Sequence, residues 1–296
     1  MVDVVGVDIG GTKIAAGYLE VDGTPVLLGT APTTPFDGEA NAATVRGLIA
    51  DPRVEDATLL AVSVATTFDN EDLLRDPRGW FGWPGQNLAD VLGSARRPAA
   101  VVADAAAGAM GEYLYGEGRG CRQLLYLTVG TGVSHCFVLD GRPLGGANNA
   151  AYFSGYTPPA RCSRESCSFP HVEAISAGPS IAREFSGPDA RDARPAFAAA
   201  AAGDERAIDV IEHAAWHLGA LIATLLSVYD PDRLVIGGGL GTGVPEYRDR
   251  AITVARELVT TEHARSIPIV AAALHSESCW VGAIGMASAI AIPQPS

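Results

Sequence analysis

Val4-Val5-Gly6-Val7-Asp8-Ile9-Gly10-Gly11-Thr12-Lys13 is the stretch from which the fold can be read. The β-branched run Val2 to Asp8 has the composition of a buried strand, and Gly10 to Lys13 that of a tight turn at its end. Ile14 to Tyr18 resumes strand character, and after Asp22 the segment Gly23 to Leu28 gives another strand, so a hairpin or meander opens the chain. Asp8 is followed by backbone N–H groups with no side chains to obstruct a phosphate. Taken alone, the same pattern also describes a plain β-hairpin that ends beside an aspartate.

The pattern returns twice. Leu124 to Thr128 is a strand that ends in Gly130-Thr131-Gly132, after which Cys136 to Leu139 pairs back and Asp140-Gly141 makes a hairpin turn. Glu205 to Tyr229 carries Ile208, Ile211, Ala215, Leu218 and Ile222 at helical spacing. It leads through Asp230-Pro231 into the strand Leu234 to Ile236 and then Gly237-Gly238-Gly239. Further helices are expected over Ala40 to Leu48, Leu88 to Leu92, Asp104 to Tyr113, Ile252 to Leu258 and Val281 to Ala289, with Pro188 to Ala202 as a helix flank. Strands are expected over Ala57 to Ala65, Ala99 to Val102 and Ile267 to Ala271. Strand and helix alternate throughout, which makes the class α/β. Thr67 to Pro84, with Trp80 and Trp83, is loop-rich and a place to grip a ligand.

Composition narrows the function. The 296 residues carry 34 acidic and 21 basic side chains, a formal charge of −13, and the basic residues are scattered. Nucleic-acid binding needs them clustered, so no nucleic-acid partner is expected. The longest apolar stretch, Leu218 to Val228, falls short of the roughly 20 residues that span a bilayer, and no membrane association is expected. No basic segment precedes the apolar residues at the amino terminus, so it does not read as a signal peptide, and a cytoplasmic location is expected. Five widely spaced cysteines fit reduced thiols. At roughly 150 residues per domain the length gives two lobes. The expected division is 1–103, with the closing helix 280–296 packing back on it, and 104–279.

These motifs, in this order, resemble the ROK family of sugar kinases and repressors. The resemblance rests on Val7-Asp8-Ile9-Gly10-Gly11-Thr12-Lys13, on Leu127-Thr128-Val129-Gly130-Thr131-Gly132 and on Leu234-Val235-Ile236-Gly237-Gly238-Gly239. Asp104, with the Ala-rich helix running to Gly111 and Glu112, matches the stretch that carries the family's general base, and Gly145-Gly146-Ala147-Asn148 its lead into the acceptor site. The resemblance implies a two-lobed actin/hexokinase-like (ribonuclease H-like) fold with a nucleotide cleft between the lobes, and transfer of the γ-phosphoryl group of ATP to a small-molecule hydroxyl. It implies Asp8 as holder of hydrated Mg²⁺, Gly10, Gly11, Thr12, Lys13, Gly130, Thr131 and Gly132 around the phosphates, and Gly237, Gly238 and Gly239 at the adenosine. It further implies Asp104 as the base, Asn148 and Glu173 at the acceptor, and a homodimer or homotetramer. From the residues alone Asp104 reads equally as a helix N-cap.

The acceptor half departs from the family. Asparagines that flank the family's catalytic aspartate are Ala103 and Ala106 here, and the Glu and His of its Gly-Glu-x-Gly-His stretch fall on Phe153 and Tyr156. Its Pro-Gly loop is replaced by Ala65-Thr66-Thr67. Loss of hydrogen-bonding groups removes discrimination among hydroxyls. The expected acceptor is therefore not glucose but a modified sugar, a cyclitol or a nucleoside-like molecule. Phe153, Tyr156, Trp80 and Trp83 either stack on it or pack in the core. Many family members bind zinc just before the Glu173 position; Cys162, Cys167 and His171 lie there, a possible Zn²⁺ site or a loop with two reduced thiols. A repressor would carry a DNA-binding module before Asp8; with seven residues there and a charge of −13, a repressor is not expected. The remaining alternative is a catalytically inactive nucleotide- or sugar-binding protein.

Overall fold

The computed structural model of the chain describes residues 2–68, 74–75, 79–160 and 169–291. Three strands open it, β1 (Val4–Ile9), β2 (Lys13–Leu19) and β3 (Pro25–Pro32), followed by the helix α1 (Gly38–Leu48) and β4 (Leu59–Val64). The loop-rich stretch holds two short strands, β5 (Thr67–Phe68) and β6 (Leu74–Arg75). After it come α2 (Leu88–Leu92), β7 (Ala99–Ala103) and α3 (Asp104–Tyr115). Next are β8 (Gln123–Val129), β9 (Val133–Leu139) and β10 (Arg142–Pro143), then the helices α4 (Glu173–Ser176), α5 (Gly178–Ser186), α6 (Arg194–Ala201) and α7 (Glu205–Tyr229). The chain closes with β11 (Arg233–Gly237), α8 (Gly238–Gly243), α9 (Pro245–Leu258), α10 (Glu262–Ser266), β12 (Ile269–Ala271) and α11 (Ser278–Ala291).

Two five-stranded sheets share one plan. The first has the order β3-β2-β1-β4-β7, with β1, β2 and β3 antiparallel and β1, β4 and β7 parallel. The second, β10-β9-β8-β11-β12, repeats it: β8, β9 and β10 antiparallel, β8, β11 and β12 parallel. Parallel strands are covered on both faces and so read as continuous apolar runs. Val5, Val7 and Ile9 of β1 and Leu60, Val62 and Val64 of β4 are fully buried against α1 and α2, while Ala61 faces α11. In the second sheet Leu125, Leu127, Leu234 and Ile236 pack against α5, α7 and α9.

Between the sheets α3 and α11 cross. Contact is close enough that a Cβ on Gly282 would run into the Ala107 carbonyl oxygen, and one on Gly111 into that of Ser278. Glu112, buried in α3, fixes the junction: its carboxylate accepts from the amides of Glu117, Ala273 and Leu274 and from the Ser278 hydroxyl at 2.9–3.1 Å. A buried carboxylate is tolerable when its lone pairs are filled in this way.

The structure adds to the sequence reading in several places. Gly237–Gly239 is not an open turn, because Gly238 and Gly239 begin α8. Segment 173–186, for which no element was expected, forms α4 and α5, and the flank 188–202 contains α6. The last long surface helix starts at Pro245 rather than Ile252, since Pro at a first helical position ends the preceding loop without losing a hydrogen bond. By length and a mean hydropathy of 1.3, α7 would qualify as a membrane span, yet 67% of that apolar window is buried inside the protein. Its Leu218, Ile222 and Leu226 are core residues of the second sheet's helical layer.

Candidate active site

Parallel strands leave their carboxyl ends open for ligands, and both sheets present those ends to one cleft. Asp8 lies near the end of β1, directly opposite Ser63 of β4 in the parallel register. The Ser63 hydroxyl donates to Asp8 Oδ1 at 2.9 Å. On the next strand, β7 ends at Ala103, and Asp104 is the first residue of α3. Ala103 is the cap position and makes no side-chain cap, so Asp104 belongs to the first turn, where an acid is favoured by the helix dipole. Its Oδ1 accepts from the Ala105 amide at 2.7 Å.

Burial, before any neighbouring charge, holds the protons on both carboxyls. Burial pushes Asp104 up to about 7, and the negative charges of Asp8 and Glu173 add to it. Burial likewise pushes Asp8 up to about 6, against the opposing pull of the Ser63 hydroxyl and the Lys13 ammonium. Cys279, at the start of α11, donates its thiol to the Asp104 carbonyl oxygen at 3.7 Å. Burial, then Asp8 and Asp104, raise that thiol well above its ordinary range, so it stays protonated.

The first glycine turn is closed by the Gly10 amide on the Lys13 carbonyl at 2.9 Å. Its carbonyls are held from behind: Thr33 Oγ1 donates to Gly10 O at 2.7 Å and the Trp80 indole N–H to Gly11 O at 2.9 Å. A planar trans peptide points its N–H opposite to its C=O, so the Gly11 and Thr12 amides are turned away from Thr33 and Trp80. The second turn closes with Gly130 N on Gly132 O at 2.9 Å, and Gly178 N donates to Gly130 O at 2.8 Å. These turns face each other, since a Cβ on Gly11 would lie 3.4 Å from Thr131 Cγ2. A Cβ on Gly130 would meet the Gly239 amide nitrogen at 3.3 Å, which brings the third glycine cluster to the same place. Gly238, at φ +81°, turns the chain there beneath the Thr128 hydroxyl, a conformation that L side chains rarely adopt.

Of the expected acceptor residues, Glu173 stands at the start of α4, and its Oε2 accepts the Val133 amide at 2.8 Å, beside the second turn. Phe153 and Tyr156 are partly exposed and meet edge to face at 5.5 Å; Tyr156 also lies 4.7 Å from the His171 ring. Asn148 is exposed in the loop after β10. Trp83 is a core residue, 3% exposed, which removes it from the stacking candidates. Trp80 is engaged with the first turn and stacks edge to face with exposed Phe36 at 5.3 Å. Cys162 and Cys167 lie outside the described residues. His171 Nδ1 accepts the Ala174 amide at 3.2 Å, leaving its other nitrogen for any metal. Among the described residues no group of three or more His, Cys, Asp or Glu side chains could hold a metal ion.

Sequence reasoning missed Ser63 and Cys279. Ser63 did carry a signal, as the one polar residue in the apolar run Leu59–Val64. Cys279 carried none, since helix crossing, not spacing, brings it to the two aspartates.

A model of the ROK family matches residues 4–290. The bifunctional enzyme NanE/NanK of Brucella melitensis is 33% identical over 297 residues, covering 96% of this chain and 54% of the relative, so the chain spans about half the length of that protein. N-acetylmannosamine kinase of Citrobacter koseri is 32% identical over 247 residues, covering 79% of this chain and 82% of the relative. In fold the chain is similar to a ROK family glucokinase from Streptomyces griseus, solved in complex with glucose and AMPPNP. The TM-score is 0.81 at 24% identity, over 96% of this chain and 98% of that one.

Proposed function

The chain belongs to the ROK family, and from that premise we propose that it is an ATP-dependent kinase acting on a hydroxyl of a sugar-like small molecule, with Asp104 as the general base. The observation that carries the proposal is the Asp104 carboxyl, which burial and two neighbouring carboxylates push up to about 7. A base poised near the operating pH is the most effective. Asp104 takes the proton from the acceptor hydroxyl as its oxygen bonds to the γ-phosphorus; the bond from that phosphorus to the bridging oxygen breaks, and ADP leaves. Alignment and charge stabilisation do most of such a reaction.

The amides of Gly11 and Thr12 and the turn Gly130-Thr131-Gly132 hold the phosphates, and Gly237, Gly238 and Gly239 flank the adenosine. Lys13, whose ammonium acts on Asp8, is the single lysine of the chain and supplies positive charge beside the reacting phosphate. A divalent cation fits the donor set, because Mg²⁺ binds through one or two carboxylates, water and substrate phosphates rather than through an all-protein cage. Asp8 is the oxygen donor that would hold it. When bound, the ion offsets negative charge on the phosphates.

For the acceptor, the absence of hydrogen-bonding side chains at Ala103, Ala106 and Phe153 favours a modified sugar over glucose. N-acetylmannosamine, named for one relative, is the first candidate. The same losses favour a second reading, a family member that binds nucleotide or sugar without turnover.

Asp104→Ala separates them. Under the kinase reading turnover falls by roughly 10²–10⁴-fold while the affinity for AMPPNP, measured by calorimetry, stays within about twofold, because the base serves the chemical step alone. Turnover near the wild-type value would remove Asp104 from the mechanism.

A further inference from the structure

Ser63 is a polar side chain with no solvent exposure inside a central parallel strand. Both strand neighbours, Val62 and Val64, are fully buried hydrophobes. A hydroxyl in such a place costs free energy unless it is hydrogen-bonded, and it is spent on one partner: Asp8 Oδ1 at 2.9 Å. Backbone register leaves little slack, since Asp8 and Ser63 are directly opposed in the β1–β4 pairing.

We propose that Ser63 is a positioning residue for the divalent cation: by filling a lone pair on Oδ1 it fixes the Asp8 carboxylate in one orientation and leaves Oδ2 to face the cleft. The inference rests on the kinase reading only in taking the ion to arrive with a nucleotide. Partners that hold a metal-bearing carboxylate from behind commonly contribute 10–100-fold in metal affinity. Ser63 never touches the nucleotide or the acceptor, so its loss acts on the ion first.

The test is Mn²⁺ binding, read by electron paramagnetic resonance in the presence of AMPPNP, for the wild type, Ser63→Ala and Ser63→Cys. Cysteine preserves the shape of the side chain and replaces the hydroxyl by a weak donor. The expected result is an Mn²⁺ dissociation constant raised by roughly 10–100-fold in S63A and by less in S63C, with AMPPNP affinity in EDTA unchanged. Wild-type Mn²⁺ affinity in both variants overturns the proposal, as does an equal fall in metal-free AMPPNP affinity, which would mark a general distortion of the cleft. Should S63A fail to fold, S63C decides the matter by the same criteria. If Mn²⁺ binding weakens as expected but the wild type phosphorylates no acceptor, the role of Ser63 stands and the kinase reading falls.

Discussion

A carboxylate is a stronger base when its pKa is raised, and burial, helped by Asp8 and Glu173, raises that of Asp104, the base under the proposed reading. Activity needs the deprotonated form, so kcat/KM should fall as the pH drops through about 7. Because Asp8 rises to about 6 in the same cleft, the acid limb belongs to the coupled pair. The same shift acts on stability. An aspartate that loses its proton near 3.8 unfolded and near 7 folded carries a cost to folding that is absent below about pH 4 and complete above pH 7. Asp104→Asn removes that cost and keeps an acceptor for the Ala105 amide. In the ligand-free protein it should therefore raise the melting temperature at pH 8 and leave it nearly unchanged at pH 4. Equal melting temperatures of the two proteins at pH 8 would show that Asp104 sits in a more polar setting than the structure gives it.

At the scale of elements, the junction of α3 and α11 is where packing is tightest. Gly282 faces the Ala107 carbonyl with no space for a methyl group, whereas Gly47, exposed in α1, has nothing within 4 Å of an added Cβ. Gly282→Ala should lower unfolding free energy in urea by about 1–3 kcal/mol, while Gly47→Ala should leave it unchanged or raise it by up to about 1 kcal/mol. Similar effects at both sites would contradict the crossing. The strands and turns that carry Asp8, Gly130 and Gly237 were legible because apolar runs ending in glycine clusters are local patterns. The helices Glu173–Ser176 and Gly178–Ser186 were not, because one to two and a half turns carry too short an apolar pattern to read and their stability comes from docking on α7. Nor could the sequence say that Ser63 meets Asp8: strand register is a tertiary property, and one residue of slip would turn the hydroxyl away. Trp83 shows the converse, an aromatic in a loop-rich stretch that is a core residue.

Across the whole molecule the same strand plan is used twice, and each sheet supplies half of the cleft: Asp8 and Asp104 from the first, Gly130–Gly132 and Gly237–Gly239 from the second. Under the proposed reading the nucleotide-facing half keeps the family pattern, whereas in the acceptor-facing half Phe153 and Tyr156 stand where the family has Glu and His. If a chain of formal charge −13 holds a polyanionic nucleotide as proposed, it does so through oriented backbone amides, Lys13 and a cation rather than through overall attraction. Nucleotide binding alone would show the same dependence, so the direct test is product formation. Purified protein is incubated with Mg²⁺ and ATP against glucose, N-acetylmannosamine, other amino sugars, cyclitols and nucleosides, and products are identified by mass. The expected result is a singly phosphorylated product from a modified sugar, with glucose turned over far more slowly. Tight ATP binding with no phosphorylated product from any acceptor would contradict it and leave a nucleotide-binding protein without transferase activity.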